Sequence, residues 1–409
     1  MAKPKLALIP ATQGSKLYSV LPADGVGDFT FSRNSAATRI NKDGLIETVA
    51  VGKSRLNYPL IDGVVNGCPS HLLEPSAMNK IQYSEDFSQS YWNKQNSTIS
   101  PNQTISPQGN LNSDKLVENT SNSTHGFLVN ITQPIGGYYT ISYFVKSNGR
   151  TKFEISEGFS IGGSIQFDLL EKTAQTNSPA INGFIEEFAN GWFRVGGTWN
   201  LTSNANTISY LILKDNLGNF TYTGDGTSGV YIWGAQLEQG SYPTSYIPTS
   251  GSSVTRSAET ANGAGDASTF NDSEGVLMAE ISALDNDGTF RMLSISDGTN
   301  NNRVRINFTS TSEQIQARLV VGGVTQADLS QTSANVTSFN KIAISYKEND
   351  VKLYINGILI ASDTSASVPT IGTFTTLQFD GGGGTSDFYG STKQLQYFDS
   401  ALNDSDLET

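Results

Sequence analysis

The sequence predicts an all-β protein in which an irregular N-terminal arm is followed by two antiparallel β-sandwich domains of the jelly-roll type. Only 16% of the residues are charged and 40 of the 409 are glycine, so residues that favour helices are scarce. Short runs of β-branched and aromatic residues recur between turns rich in Asn, Gly, Ser and Thr. No repeat with a period of roughly 20 to 50 residues is present, which argues against a propeller or a solenoid.

Residues 1–78 form the predicted arm. Prolines interrupt this stretch, and because proline cannot donate to a β-ladder we expect mostly loop, with short strands at 29–32 and 44–49. The apolar content of the arm is too low to offset the entropy lost when it becomes ordered. We therefore expect the arm to be ordered only against a partner surface.

Residues 79–247 form the first predicted sandwich. Its strands are expected at 138–145, 152–156, 164–168, 191–195, 207–213 and 230–233. Strands spaced in this way favour an antiparallel sandwich or jelly roll. The next segment, 248–256, is rich in small polar residues and is predicted to be a linker.

Residues 257–409 form the second predicted sandwich. Its strands are expected at 275–281, 290–295, 303–308, 315–321, 340–346 and 351–355. The last of these ends at Asn356-Gly357, the residue pair typical of a type I′ turn. We therefore predict a hairpin that returns through residues 358–361.

Charge and residue usage exclude several classes of function. The chain has 26 Lys and Arg against 38 Asp and Glu, a net charge of −12, which is the wrong sign for a nucleic-acid partner. The apolar run at residues 6–9 is too short for a signal peptide or a membrane span. One cysteine, Cys68, and two histidines, His71 and His125, exclude an internal disulfide framework and argue against zinc. We expect Cys68 to be a small buried side chain.

Three stretches resemble known families. Residues 29–46, with 55–59 and 72–75, resemble a segment that recurs in the virion structural proteins of tailed bacteriophages. The middle block resembles the carbohydrate-binding-module-like jelly rolls of phage fibres and spikes, on the evidence of residues 191–195, 230–238 and 244–249. The last block is similar to concanavalin A-like, laminin G-type sandwiches, as shown by residues 341–346, 351–357 and 388–408.

The resemblance implies a non-enzymatic fibre, spike or decoration protein of a phage virion, assembled in the host cytoplasm. Its arm would dock on other virion proteins through fixed polar contacts of Arg33, Arg39, Arg55 and Glu74. Its sandwiches would face host-surface glycans, and a homotrimer is expected because fibres commonly have three-fold symmetry. The alternative is a secreted or surface lectin, or a polysaccharide depolymerase, built on the same sandwiches.

Enzymatic chemistry is not predicted. Glycoside hydrolysis needs two carboxylates that flank the scissile bond. Close pairs in the sequence are Glu154 with Glu157, Glu186 with Glu187, and Asp285 with Asp287. The Glu-x-Asp-x-Glu pattern of laminarinase-type members of the concanavalin A-like fold is absent, and so is the Gly-x-Ser-x-Gly elbow of serine hydrolases.

Aromatic residues divide into candidate ligand contacts and predicted core. Tyr91 and Trp92 lie outside any clear strand pattern and are the candidate glycan-binding residues. Trp192 and Trp233 lie inside strand patterns, so we predict that both are buried.

Calcium is the one cofactor that the sequence leaves open. Asp285, Asp287 and Asp297 lie in turns rich in Asp and Asn, whose oxygen atoms are the ligands that Ca²⁺ prefers. The same residues also form ordinary turns, and none of these stretches matches an EF-hand loop.

Overall fold

A computed structural model describes residues 3–13, 16–132, 136–157, 163–178, 180–200 and 206–408. The described backbone consists largely of β-strands that pair antiparallel, which confirms the predicted all-β class. No helix in these ranges is long and apolar enough to cross a membrane.

The N-terminal segment, residues 3–79, contains ten strands. They are β1 (Leu6–Gln13), β2 (Lys16–Leu21), β3 (Phe29–Ser32), β4 (Ala37–Ile40), β5 (Ile46–Val49), β6 (Arg55–Asn57), β7 (Leu60–Ile61), β8 (Val64–Val65), β9 (Ser70–Leu73) and β10 (Ala77–Asn79). The predicted strand at 29–32 is confirmed, and the one predicted at 44–49 begins two residues later, at Ile46.

The middle sandwich follows. Its strands are β11 (Asn93–Gln95), β12 (Ser97–Ile105), β13 (Leu111–Glu118), β14 (Asn122–Ser123), β15 (His125–Thr132), β16 (Tyr138–Asn148), β17 (Lys152–Glu157), β18 (Ser164–Asp168), β19 (Thr173–Asn177), β20 (Ala180–Phe188), β21 (Trp192–Asn200), β22 (Asn206–Leu213), β23 (Tyr222–Thr223) and β24 (Gly229–Gln239), with a 3₁₀ turn at Ala189–Gly191. The sheets β11-β15-β22-β17-β18-β19 and β12-β13-β24-β16-β21-β20 enclose one apolar core.

The C-terminal part contains the remaining elements. They are β25 (Val254–Arg256), β26 (Thr260–Asn262), β27 (Glu274–Ala283), β28 (Arg291–Ser296), β29 (Arg303–Phe308), β30 (Ile315–Val321), β31 (Val324–Gln331), β32 (Asn340–Lys347), β33 (Val351–Ile355), β34 (Ile358–Asp363), β35 (Thr376–Gln378), β36 (Gly390–Phe398) and helix α1 (Asp404–Leu407). A five-stranded sheet, β31-β30-β29-β28-β35, packs on an eleven-stranded sheet that includes β27, β32, β33, β34 and β36.

The larger sheet is completed by the N-terminal segment. Strand β1 pairs with β36 on one side and β2 on the other, and β9 also pairs with β36. Six apolar side chains of the segment are buried in the same core as the C-terminal strands, namely Leu6, Leu8, Leu17, Phe29, Phe31 and Leu73. The partner surface expected for the arm is therefore the C-terminal sandwich of the same chain.

The middle sandwich is inserted between two paired strands. Strands β10 and β25 are antiparallel neighbours, with Asn79 opposite Val254. The chain thus leaves the C-terminal sandwich after Asn79, builds the middle sandwich, and returns at Val254. The domain boundaries predicted from the sequence stay predictions, and the structure adds that the two flanking parts share one core.

Local predictions agree well with the structure where the pattern is strong. Asn356 and Gly357 have φ of 52° and 78°, as a type I′ turn requires, and β33 and β34 form the predicted hairpin. A Cβ on Gly357 would lie 2.7 Å from the carbonyl oxygen of Glu408, so only glycine fits there. Trp192 and Trp233 are fully buried, as predicted. Cys68 is exposed, which corrects the expectation of a buried thiol, because the short strands around it leave its loop uncovered.

Candidate functional site

The polar residues predicted in the arm meet inside the protein. Glu259 pairs with Arg33, whose Nη1 lies 2.7 Å from Oε1, and with Arg55, which donates to it through Nε and Nη2. Glu74 Oε2 forms ion pairs with Arg55, whose Nη1 lies at 2.7 Å, and with Arg256, whose Nη1 lies at 3.0 Å. We call these five residues the buried charge network.

The network joins all three parts of the chain. Ser245, which follows the middle sandwich, donates its amide to Glu74 Oε1 at 2.8 Å and its hydroxyl to Oε2 at 2.6 Å. Although burial by itself raises the pKa of Glu74, the guanidinium groups of Arg256 and Arg55 hold it at about 2. The ionised network therefore connects the N-terminal segment to the C-terminal sandwich at neutral pH.

Three of the four residues expected to attach the arm to a virion are thus occupied internally. The side chains of Arg33, Arg55 and Glu74 are at most 4% exposed. They cannot contact another protein directly, which corrects the role expected from the sequence. Burial without these internal pairs would leave isolated charges in a medium of low polarity. Arg39 differs because it pairs with Glu47 at 2.9 Å on the surface, with its side chain 25% exposed.

His71 is buried beside this network without a hydrogen-bond partner among the described residues for either ring nitrogen. Its imidazole packs edge-on against Phe31 and Phe379. Burial, and secondarily the charge of Arg55, lower the pKa of His71 to about 3. The residue is therefore neutral in the folded protein over the whole physiological range.

We predict that His71 makes the protein sensitive to mild acid. The unfolded chain takes up a proton near pH 6.5 and the folded chain does so only near pH 3, so stability is present above pH 6.5 and declines as the pH falls between these values. From pH 7 to pH 5 the loss is about 2 kcal/mol. Urea unfolding at both pH values should show this loss of unfolding free energy. In the variant His71→Leu, the decrease from pH 7 to pH 5 should be smaller by about 2 kcal/mol. An equal pH dependence in the variant would contradict the prediction.

The predicted glycan-binding pair is divided between core and surface. Trp92 is 1% exposed and packs against Phe87 and Phe127, and its Nε1 donates to the carbonyl oxygen of Tyr83 at 3.1 Å. It cannot stack on a sugar, because its faces are covered by other rings. Tyr91 is partly exposed and borders a shallow polar groove with Asn93, Lys94 and Asn130.

The three candidate calcium ligands make other contacts. Asp285 accepts from Ser241 Oγ at 2.7 Å, and Asp287 pairs with Arg291 at 2.9 Å. Asp297 closes a turn by accepting from the amide of Thr299 at 2.8 Å. No group of three or more His, Cys, Asp or Glu residues suited to a metal is found in the described ranges.

Among the described side chains, members of the carboxylate pairs are also held in other contacts. Glu186 and Glu187 are adjacent on β20, so their side chains leave opposite faces of the sheet, and Glu187 pairs with Lys172. Glu154 is largely buried and lies 3.9 Å from Lys214 Nζ, and the side chain of Glu157 lies outside the described residues.

The most distinctive surface groove lies on the outer face of the five-stranded sheet. Along β29, Val304, Ile306 and Phe308 face the core, so that Arg303, Arg305 and Asn307 face outward. Strand β30 adds Gln316 and Arg318, which lie opposite Asn307 and Arg305. Arg303, Arg305, Gln316 and Arg318 line a groove of about 450 Å³, which we call the arginine groove. The other lining residues are Phe290, Met292, Thr309, Ser310, Thr311, Gln314 and Ser386.

Loops enclose the arginine groove at both ends. The glycine-rich loop 381–384 lies against one end, where the carbonyl oxygen of Gly381 accepts from Arg303 Nη1. A Cβ on Gly381 would lie 3.2 Å from Met292 Sδ, so the loop approaches the sheet closely. The loop that connects β29 to β30 closes the other end with hydroxyl groups. The groove is therefore an open site on the outer face of the sheet, with a loop at each end.

Sequence reasoning missed the arginine groove. The alternation of Arg303, Val304, Arg305 and Ile306 could have shown that two arginines share the solvent face of one strand. The position of Arg318 beside them depends on the register between β29 and β30, which the sequence pattern does not contain.

Comparisons with known proteins concern the sandwiches. Residues 265–408 match a laminin G family model described as the concanavalin A-like lectin/glucanases superfamily. This part of the chain is similar to that superfamily, in agreement with the resemblance of the last block. A search of curated proteins finds no match to the chain.

The solved structures that match the chain are distant from it. The CBM40 of the IT-sialidase of Ruminococcus gnavus, bound to α2,3-sialyllactose, is 19% identical with a TM-score of 0.31, over 36% of this chain and 85% of that one. Domains LG4-5 of the mouse laminin α1 chain are 9% identical with a TM-score of 0.24, over 80% of this chain and 94% of theirs. Sheep galectin-11 is 9% identical with a TM-score of 0.21, over 30% and 88%.

Proposed function

We propose that the protein is a non-catalytic adhesive protein that binds glycans through its β-sandwiches. The arginine groove carries this proposal, because it is lined by many hydrogen-bonding groups and its volume lies in the range of small-ligand sites. The similarity of residues 265–408 to concanavalin A-like lectins and glucanases supports the proposal at the level of fold. The exposed ring of Phe290 at the rim, 41% exposed, adds an apolar face against which a sugar can pack.

We also propose that the protein is displayed on a phage virion as a homotrimer, with other virion proteins as partners. The support is the resemblance of residues 29–46, 55–59 and 72–75 to virion proteins. Because most of the predicted docking residues are internal, docking would use the surface of the N-terminal segment, including Arg39 and the exposed Ile61 and Val64 of the β7–β8 hairpin. A secreted or surface lectin is equally compatible with the arginine groove.

We predict that blocking the arginine groove weakens glycan binding. The full-length protein is applied to an array of neutral and acidic glycans, and the affinity for the best glycan is then measured for the variant Thr311→Trp. Thr311 is exposed at the rim, so a large side chain there obstructs the groove without changing its charge. We expect a loss of at least about tenfold, the equivalent of roughly one good hydrogen bond.

The matched control is Thr325→Trp, an exposed position on the edge strand β31 outside the lining of the groove. It should bind like the unaltered protein. Absence of binding to every glycan would contradict the proposed function, and equal binding by both variants would contradict its assignment to the arginine groove.

Two further measurements separate the virion from the alternatives. Immunogold electron microscopy with an antibody against residues 254–409 should label a defined place on virions if the protein is displayed there. Protein found only free in the medium would favour the secreted lectin. Release of reducing ends from a polysaccharide would favour the depolymerase over the non-catalytic proposal.

A further inference from the structure

The arginine groove contains three cationic side chains and no carboxylate in its lining. Arg305 and Arg318 are directly opposite each other on β29 and β30, and Arg303 lies two positions from Arg305 on the same face. Like charges placed opposite each other in a sheet repel. The repulsion among the three arginines therefore destabilises the folded protein unless an anion binds between them.

Only part of this charge is balanced by the protein. Arg318 Nη2 lies 2.5 Å from Asp328 Oδ2, and Arg303 donates to Asn300 Oδ1 at 2.5 Å. Arg305 forms no ion pair with any described residue. Its contacts are Met292 Sδ at 3.1 Å from Nη1, which is a weak acceptor, and Gln316 Oε1 at 3.5 Å from Nη2.

Arg305 is also largely removed from water, with 4% of its surface exposed. Burial, followed by the charges of Arg303 and Arg318, lowers its pKa to about 10, so it remains a cation at neutral pH. The Nε atoms of all three arginines and Oδ1 of Asn307 have no hydrogen-bond partner among the described residues. Arg256 and Arg291, outside the groove, also have an unpartnered Nε, so the feature that distinguishes the groove is the charge of Arg305, which no described carboxylate contacts.

We propose that the arginine groove recognises the anionic substituent of an acidic glycan, a carboxylate or a sulfate, with Arg305 as the principal donor and Arg303 and Arg318 beside it. This inference rests on the glycan binding proposed above. Guanidinium groups bind such oxyanions through paired N–H donors and distinguish them from hydroxyl groups by charge. In a chain of net charge −12, this local positive groove also repels an anionic ligand less strongly than the surrounding surface does.

The test compares pairs of glycans that differ only in charge. Isothermal titration calorimetry of the full-length protein compares the affinity for an oligogalacturonate with that for its methyl ester. A second comparison sets chondroitin sulfate oligosaccharides beside unsulfated, carboxyl-reduced chondroitin. The first pair isolates the carboxylate and the second adds the sulfate. We expect the acidic member of at least one pair to bind ten- to a hundredfold more tightly, and to lose affinity as salt rises.

Variants locate the effect. Arg305→Met keeps most of the length of the side chain and removes its charge. Arg318→Gln shortens the side chain and removes its charge at a position that is 26% exposed, so that folding is little affected. Arg39→Gln is the matched control, because Arg39 is 25% exposed and also paired with a surface carboxylate. The first two variants should lose at least tenfold affinity for the acidic glycan, and the control less than twofold.

The outcomes distinguish this inference from the proposed function. Equal binding of the acidic and neutral members overturns the inference and leaves glycan binding intact. Preference for acidic glycans that persists in both Arg305→Met and Arg318→Gln overturns the assignment to this groove. Failure to bind any glycan, in the titrations and on the array, overturns both. Circular dichroism of each variant confirms that its fold is retained.

Discussion

Residues 257–409 expressed without the N-terminal segment are expected to be unfolded or aggregated. The deletion removes β1 and β9, the strands that pair with β36 on the side opposite β27, and takes six buried apolar side chains out of the core. At roughly 1.5 to 3 kcal/mol for each side chain, the loss is on the order of 10 kcal/mol. This is comparable to the whole stability of a typical domain, about 5 to 15 kcal/mol. Near-ultraviolet circular dichroism and size-exclusion chromatography of the fragment would measure the effect.

A second chain provides the control for this truncation. Because Asn79 lies opposite Val254, a two-residue Asn-Gly turn can join them and replace the whole middle sandwich. This chain keeps every strand of the C-terminal sandwich and is expected to fold, with a lower unfolding midpoint because Ser245 no longer donates to Glu74. A folded 257–409 fragment, or an unfolded joined chain, would show that the shared core is not what stabilises this sandwich.

The variant Glu259→Gln is expected to lose about 3 to 5 kcal/mol of unfolding free energy. Glu259 is fully buried and accepts from Arg33, from Arg55 and from the backbone amide of Glu74 at 2.9 Å. Glutamine keeps the shape of the side chain but leaves three buried arginines facing the single carboxylate of Glu74. Urea unfolding of the full-length protein at pH 7 would measure the change.

The matched control for this variant is Glu274→Gln. Glu274 pairs with Lys347 at 3.4 Å on the surface, where the side chains are 31% and 55% exposed. Exposed pairs of this kind contribute less than about 1 kcal/mol, because water and salt screen them. If both variants changed stability by the same small amount, the buried charge network would not hold the N-terminal segment in place.

The strongest sequence predictions were those that depend on neighbouring residues. Strands 303–308 and 315–321 and the turn at Asn356-Gly357 occur as predicted, because alternation and turn chemistry act over a few residues. Trp192 and Trp233 are buried for the same reason, since each lies inside a strand pattern. The predictions for Trp92 and Cys68 failed because neither lies in such a pattern, and distant segments decide whether each is covered.

The functional residues show the same division. The expectation that Arg33, Arg55 and Glu74 make fixed polar contacts agrees with the structure, but their partners include Arg256 and Glu259, which are far away in the sequence. The sequence could not show that these contacts are internal. It also could not show that Arg318 stands beside Arg305, because a shift of one residue in strand register would place it on the other face.

The sequence by itself determined that this is an all-β chain of net negative charge, with a C-terminal block similar to concanavalin A-like domains. Those properties follow from composition and from patterns a few residues long. Only the tertiary structure decided that the N-terminal segment belongs to the C-terminal core, and that three arginines share one groove. These features depend on which distant strands pair and in which register, and that choice is made by the burial of apolar and charged groups summed over the whole chain.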